Sequence, residues 1–169
     1  MYPRLLCYAV LVCGLATSVS AADLAMPEGP VILRVSGAIS ATNTPDGEAV
    51  FDRAMLDALP QEDFTTGTVW TEGTNHFSGV PLSDLLGLVG ANGKMLKLVA
   101  LNDYAVEIPV ADIDPKAPII ASHLDGEEMS VRDKGPLWLV FPFDDNPAYR
   151  SEVTYSQSIW QLAKIEVED

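Results

Sequence analysis

Cysteine is nearly absent from this chain of 169 residues: only Cys7 and Cys13 occur, both close to the start. Everything after Cys13 must therefore do without a disulfide, a thiol nucleophile or a thiolate metal ligand. Histidine is as scarce. His76 and His123 lie 47 positions apart, with no HxH or HxxxH spacing to set two imidazoles on one face for a metal. Both read as loop or surface residues. Basic side chains number ten against 24 acidic ones, a formal net charge of −14. Nucleic acid and anionic membrane surfaces need clustered cations, so they are poor partners for this chain. There is no GxSxG elbow and no glycine-rich phosphate loop ahead of a helix, which argues against ordinary serine hydrolases and nucleotide enzymes. Ser78 has no identifiable catalytic partner. The acid pairs Asp144-Asp145 and Glu127-Glu128 sit beside turn signals, as solvated groups do.

What is present begins with MYPRLLCYAVLVCGLATSVSAA, which combines one cation at Arg4, an apolar run and small residues at Ser20, Ala21 and Ala22. This is the pattern of a cleaved secretory signal, expected over residues 1–22, and it implies a periplasmic product. Cleavage removes both cysteines and leaves nine basic residues against 24 acidic ones. Residues 23–169 are expected to form one domain. No later run approaches the roughly 20 apolar residues of a membrane span.

VILRV from Val31 reads as a strand, and GAISATNTPDG as a turn-rich connector. EAVFDRAMLDALP has apolar residues at helical spacing and predicts a helix ending at Pro60. A strand is expected over 65–70, a polar loop after it, and a short helix in VPLSDLLGLVG with Leu82, Leu85, Leu86 and Val89 on one face. MLKLVAL, YAVEIPV, APIIASHL and GPLWLVFPF read as strands, with turns at Asn102-Asp103 and Asp125-Gly126. A helical turn near 159–162 and a strand AKIEV complete the tail. Strands outnumber helices without regular alternation, so the expected class is α+β, a mixed sheet with a few short helices.

The aromatic residues are the more informative set. Trp70 and Tyr104 fall at or beside predicted strand ends, Trp138 inside an apolar strand where it reads as core, and Tyr149, Tyr155 and Trp160 in the irregular tail. Around Trp70 the stretch TVWTEGTNHFS gathers a carboxylate, an amide, an imidazole and hydroxyls, an inventory suited to the rim of a ligand pocket.

The blocks GVPLSDLLGLVG, LKLVALNDYAVEIPVADI, LDGEEMSVRDKGPLWLVFPF and IWQLAKIEV, taken in order, resemble the molybdopterin-binding oxidoreductase domain of the sulfite oxidase type. ALNDY, RDKGPLW and WQL carry most of that resemblance. In that family the strand before GVPL delivers the cysteine that binds molybdenum, and here the matching stretch is VWTEGTN. The chain is therefore most similar to a small cysteine-free branch of periplasmic pterin-binding proteins. What the resemblance implies is a pterin ligand and no catalysis, with molybdenum not expected because its cysteine is missing; the scarcity of cations points to a reduced, unphosphorylated, tetrahydropterin-like ring. It also implies a partner in the ectodomain of a membrane receptor, of diguanylate cyclase or phosphodiesterase type. By the same resemblance Trp70, Tyr104 and Trp160 are candidates for stacking on the ring. Thr71, Glu72, Asn75, Asn102, Asp103, Arg150, Gln157 and Ser158 are the polar candidates. Asn102-Asp103 reads equally well as a plain hairpin turn. Where the branch has an arginine before WQL, this chain has Gln157. The alternatives are a molybdenum oxidoreductase with a non-cysteine ligand, and a structural module whose pocket has decayed.

Overall fold

The computed structural model describes residues 24–169, so the expected signal segment and both cysteines lie outside the described residues. Among the described residues ten strands form two sheets. The first runs in the order β2 (Ala49–Phe51), β1 (Leu33–Gly37), β10 (Leu162–Glu168), β5 (Met95–Ala100), β6 (Ala105–Pro109), and the second β3 (Glu62–Gly67), β4 (Thr74–Pro81), β7 (Ile119–Leu124), β8 (Glu127–Glu128), with β9 (Trp138–Val140) also pairing β7. In the first, β1 (Leu33–Gly37) runs parallel to β10 (Leu162–Glu168), so the two ends of the domain close against each other. β5 (Met95–Ala100) and β6 (Ala105–Pro109) make an antiparallel hairpin beside β10.

Alternation explains which face each strand buries. In β5 Leu96, Leu98 and Ala100 are buried while Met95, Lys97 and Val99 are only partly covered. Those inward residues join Leu33, Val35 and Ile165 from the first sheet, and Phe77, Val80, Ile119, Ile120 and Trp138 from the second, in one core. Helix α2 (Leu82–Leu88) adds Leu82, Leu85 and Leu86, with Val89 following, as its spacing predicts. Each such side chain contributes about 1.5–3 kcal/mol by leaving water.

Three elements differ from the sequence expectation. Residues 48–60 are not one helix: Ala49–Phe51 is strand β2, paired with β1, and only Arg53–Asp57 is helical, as α1. Asp52 causes the switch. Its carboxylate accepts from the Met55 N–H at 2.8 Å as an N-cap and also from the N–H groups of Glu28 and Gly29. The polar stretch after Trp70 is not a long loop. It is mostly strand β4 (Thr74–Pro81), which lies between β3 (Glu62–Gly67) and β7 (Ile119–Leu124). Its middle position in the sheet satisfies the backbone whatever the side chains. In the tail the helix comes earlier than expected, as α3 (Glu152–Gln157), capped by the Ser151 hydroxyl. The short strands β8 (Glu127–Glu128) and β9 (Trp138–Val140) complete the second sheet. The expected turns at Asn102-Asp103 and Asp125-Gly126 are present, with Asp103, Asp125 and Gly126 all at positive φ.

Candidate functional site

The β3–β4 connector, residues 68–73, folds back on itself. The Thr68 hydroxyl accepts the Trp70 N–H at 3.1 Å and lies 2.8 Å from the Thr71 hydroxyl. That turn delivers Trp70 to the middle of an aromatic cluster. Its ring lies edge-on to Trp138, Tyr155 and Trp160, with centroids 5.9, 5.9 and 5.7 Å away, and Phe143 follows at 6.4 Å. Trp138 is fully buried beneath, as expected of it. Its indole N–H donates to the Ser158 carbonyl at 3.1 Å, while the Ser158 hydroxyl donates to the Thr154 carbonyl at 2.8 Å. These two bonds pin the chain that leads from α3 to Trp160.

A cleft of about 530 Å³ opens on this cluster, lined by Val69, Trp70, Ala100, Asn102, Tyr104, Tyr155, Ser156, Ser158, Ile159 and Trp160. The β5–β6 turn supplies Asn102 and Tyr104, α3 supplies Tyr155 and Ser156, and the segment before β10 supplies the rest of one wall. Tyr104 is 54% exposed and Trp160 37%, unusual for large aromatic side chains unless something covers them. Among the described residues, none that lines the cleft carries a formal charge at neutral pH. Its polar side-chain groups are the Asn102 amide, two serine hydroxyls, two phenols and two indole N–H groups. The Asn102 Oδ1 accepts the Tyr104 N–H at 3.2 Å, which leaves its second lone pair and both amide hydrogens for a ligand.

Of the eleven candidate residues, five meet in this cleft: Trp70, Asn102, Tyr104, Ser158 and Trp160. The other six do not line it. Thr71 is tied to Thr68, and Glu72 is exposed on the connector. Asn75 is on β4, where its amide donates to Asp125 at 3.2 Å and its Oδ1 is enclosed without a hydrogen-bond partner among the described residues. Asp103 is an exposed turn residue, and Gln157 donates to the Glu107 carbonyl at 3.4 Å. Arg150 is engaged with the Asp144 carboxylate and, at 2.8 Å, with the Phe143 carbonyl. Neither histidine is in a loop. His76 is an exposed residue of β4 with its ring 2.9 Å from Asp63, and His123 is a half-buried residue of β7 beside the Ser122 hydroxyl.

Ser156, Val69, Ala100 and Ile159 are lining residues that the sequence did not single out, and Tyr155 belongs to the aromatic set of the tail but not to the ligand candidates. Ser151 followed by Glu152 is a helix-start signal that puts Tyr155 on a short helix, while tertiary contacts set which way that helix faces. Asp144 is held below the usual carboxylate range, first by the Gly67 N–H and then by Arg150. Tyr149 is pushed up to about 12 by burial first and then by the Asp114 carboxylate that accepts its hydroxyl.

No family model and no curated protein matches this chain. Among solved structures it is similar to the sulfane dehydrogenase SoxCD from Paracoccus pantotrophus, with a TM-score of 0.60 and 20% identity over 81% of this chain. The match spans only 38% of that longer chain. Identity at this level speaks for the fold alone. The chain therefore has the expected α+β class with few short helices and a fold like that of the sulfite oxidase type, its strands divided between two sheets where one mixed sheet is expected.

Proposed function

We propose that the chain is an exported, non-catalytic pterin-binding protein. It holds a reduced, unphosphorylated, tetrahydropterin-like ring and reports it to the ectodomain of a membrane receptor that controls cyclic-di-GMP. One observation carries the reading: the cleft offers aromatic faces from three separate segments, with amide and hydroxyl groups beside them and no ionised side chain among its described lining residues. A pterin is flat, and its 2-amino-4-oxo edge needs both donors and acceptors. Stacking on Trp70, Tyr104 or Trp160 suits the plane, and the Asn102 amide suits the edge.

The residues do not fit a phosphorylated or metallated cofactor. A phosphate would need cations. Arg150 is tied to Asp144, and the Lys134 ammonium lies 5.6 Å over the Trp138 ring. Molybdenum in the sulfite oxidase type takes one ligand from a protein cysteine, and residues 24–169 contain none to supply it. Among the described residues no three His, Asp or Glu side chains converge as ligands. Relay to a receptor requires that the receptor bind the loaded and empty forms with different affinity. The acidic surface suits a basic receptor patch.

The test is to purify the exported chain without added ligand, release what is bound, identify it by fluorescence and mass, and count molybdenum in the same sample. A pterin near one per chain without molybdenum, lost in Trp160→Ala, is the expected result. Molybdenum with its cofactor would restore the oxidoreductase alternative. An empty protein that also refuses tetrahydrobiopterin would remove the binding reading.

A further inference from the structure

Trp70 comes from a turn and Tyr155 from a short helix, and the backbone ladders hold both weakly. β3 is the edge strand of its sheet, so the turn that follows it is anchored by the ladder on the β4 side only. Tyr155 rides on a six-residue helix, too short to be stable by itself. Both hang from the loop that leaves β9. At its start the Asp144 carboxylate accepts the Gly67 N–H at 2.6 Å, and the Asp144 N–H donates to the hydroxyl of fully buried Thr66 at 3.0 Å. Those contacts seize the last two residues of β3, just before the Trp70 turn. At the loop's other end Arg150 immediately precedes Ser151, the cap of α3. Its guanidinium donates to Asp144 and to the Phe143 carbonyl. The Phe143 ring then touches both aromatic residues, 6.4 Å from Trp70 and 5.2 Å from Tyr155.

We infer that Asp144 and Arg150 form a clip that positions Trp70 and Tyr155 against each other and so preorganises the cleft. Arg150 acts through this clip, without touching the ligand. An exposed ion pair alone is a weak restraint. Here the guanidinium bridges a carboxylate and a carbonyl while the same carboxylate grips a sheet edge, so one pair ties two segments together. The clip rests on the pterin reading only for the choice of ligand probe.

Arg150→Ala, Arg150→Lys and Asp144→Asn in the full exported chain test it. The measurements are near-UV circular dichroism of the ligand-free protein, where edge-on Trp and Tyr rings give signal, the melting temperature, and the Kd for tetrahydrobiopterin. Arg150→Ala is expected to keep the far-UV spectrum, lose much of the near-UV signal and weaken tetrahydrobiopterin roughly tenfold, about the effect of one charge-assisted hydrogen bond. Arg150→Lys is expected to recover part of both, since an ammonium cannot reproduce both bonds of the planar guanidinium. A wild-type near-UV spectrum in Arg150→Ala overturns the clip, whatever its melting temperature. A normal ligand-free spectrum with weakened binding would instead make Arg150 a direct contact, which also overturns it. Asp144→Asn checks the other half, and if it fails to fold the Arg150 variants still decide. If the wild type ignores tetrahydrobiopterin, the pterin reading falls while the near-UV comparison continues to judge the clip.

Discussion

Asp52 joins three segments through one carboxylate: the N-terminal stretch at Glu28 and Gly29, the end of β2, and the first turn of α1. Four backbone N–H groups, led by that of Gly29, hold its pKa below the usual value. A depressed carboxyl pKa stabilises the fold above the unfolded value of about 3.9, and that contribution disappears as pH falls through the folded value. Asp125 and Asp144 are lowered in the same way, by the N–H groups of His76 and Gly67 first. Stability is therefore expected to fall steeply on acidification below about pH 4. Asp52→Asn is expected to lower the urea midpoint at pH 7 and to flatten its fall between pH 5 and about 3, since it removes one of the shifted groups. Urea titrations across that range check the slope. An unchanged slope would assign the acid sensitivity to other carboxylates. None of this was legible in sequence, where Asp52 sits inside a periodic apolar run and looks like one polar position of a helix.

The misread elements share a cause. Apolar spacing in EAVFDRAMLDALP matches a helix, but Ala49, Val50 and Phe51 are all buried as a strand because β1 lies beside them. TNHFSG looks polar, yet as β4 it pairs along its length with β3 and from Phe77 onward with β7, and that pairing overrides local propensity. Gly79 marks how close that pairing is. A Cβ there would lie 2.1 Å from the Ile120 carbonyl oxygen on β7, next to a register shift between Ser78 and Gly79. Gly79→Ala is expected to destabilise the protein by more than about 1 kcal/mol because backbone must move to admit the methyl. The control is Gly126→Ala. Nothing lies within 4 Å of the added Cβ there, and only its positive φ opposes the substitution. Denaturant midpoints compare the two. A loss at Gly79 no larger than that at Gly126 would mean that the β4–β7 approach yields to the methyl at little cost. By contrast α2 appears where its apolar face and Pro81 put it, since its signals are contained within seven residues.

At the scale of the whole molecule, binding is linked to stability. A ligand that occupies only the folded state raises stability by RT ln(1 + [L]/Kd), about 2.7 kcal/mol at a hundredfold excess over Kd. Tetrahydrobiopterin is therefore expected to raise the melting temperature by several degrees. A phosphorylated dihydropterin is expected to raise it less, since the cleft presents no described cation to the phosphate. A larger shift with the phosphorylated compound would overturn the preference for an uncharged ligand. The sequence by itself determined the quantities that do not depend on who neighbours whom. These are the lack of thiol ligands after Cys13, the scarcity of cations, the apolar faces of α2 and β5, and the presence of Trp70, Tyr104 and Trp160 near element ends. Only the tertiary structure decided which polar candidates reach the cleft. Asn102 and Tyr104 arrive on a hairpin turn, Trp160 on a segment pinned by the Trp138 indole, and Tyr155 on a helix fastened through Arg150. Arg150, Asn75 and Gln157 spend their hydrogen bonds elsewhere. Residue type sets what a side chain is able to do. Its hydrogen-bond partners, brought from as far as 83 residues away, set what remains free for a ligand.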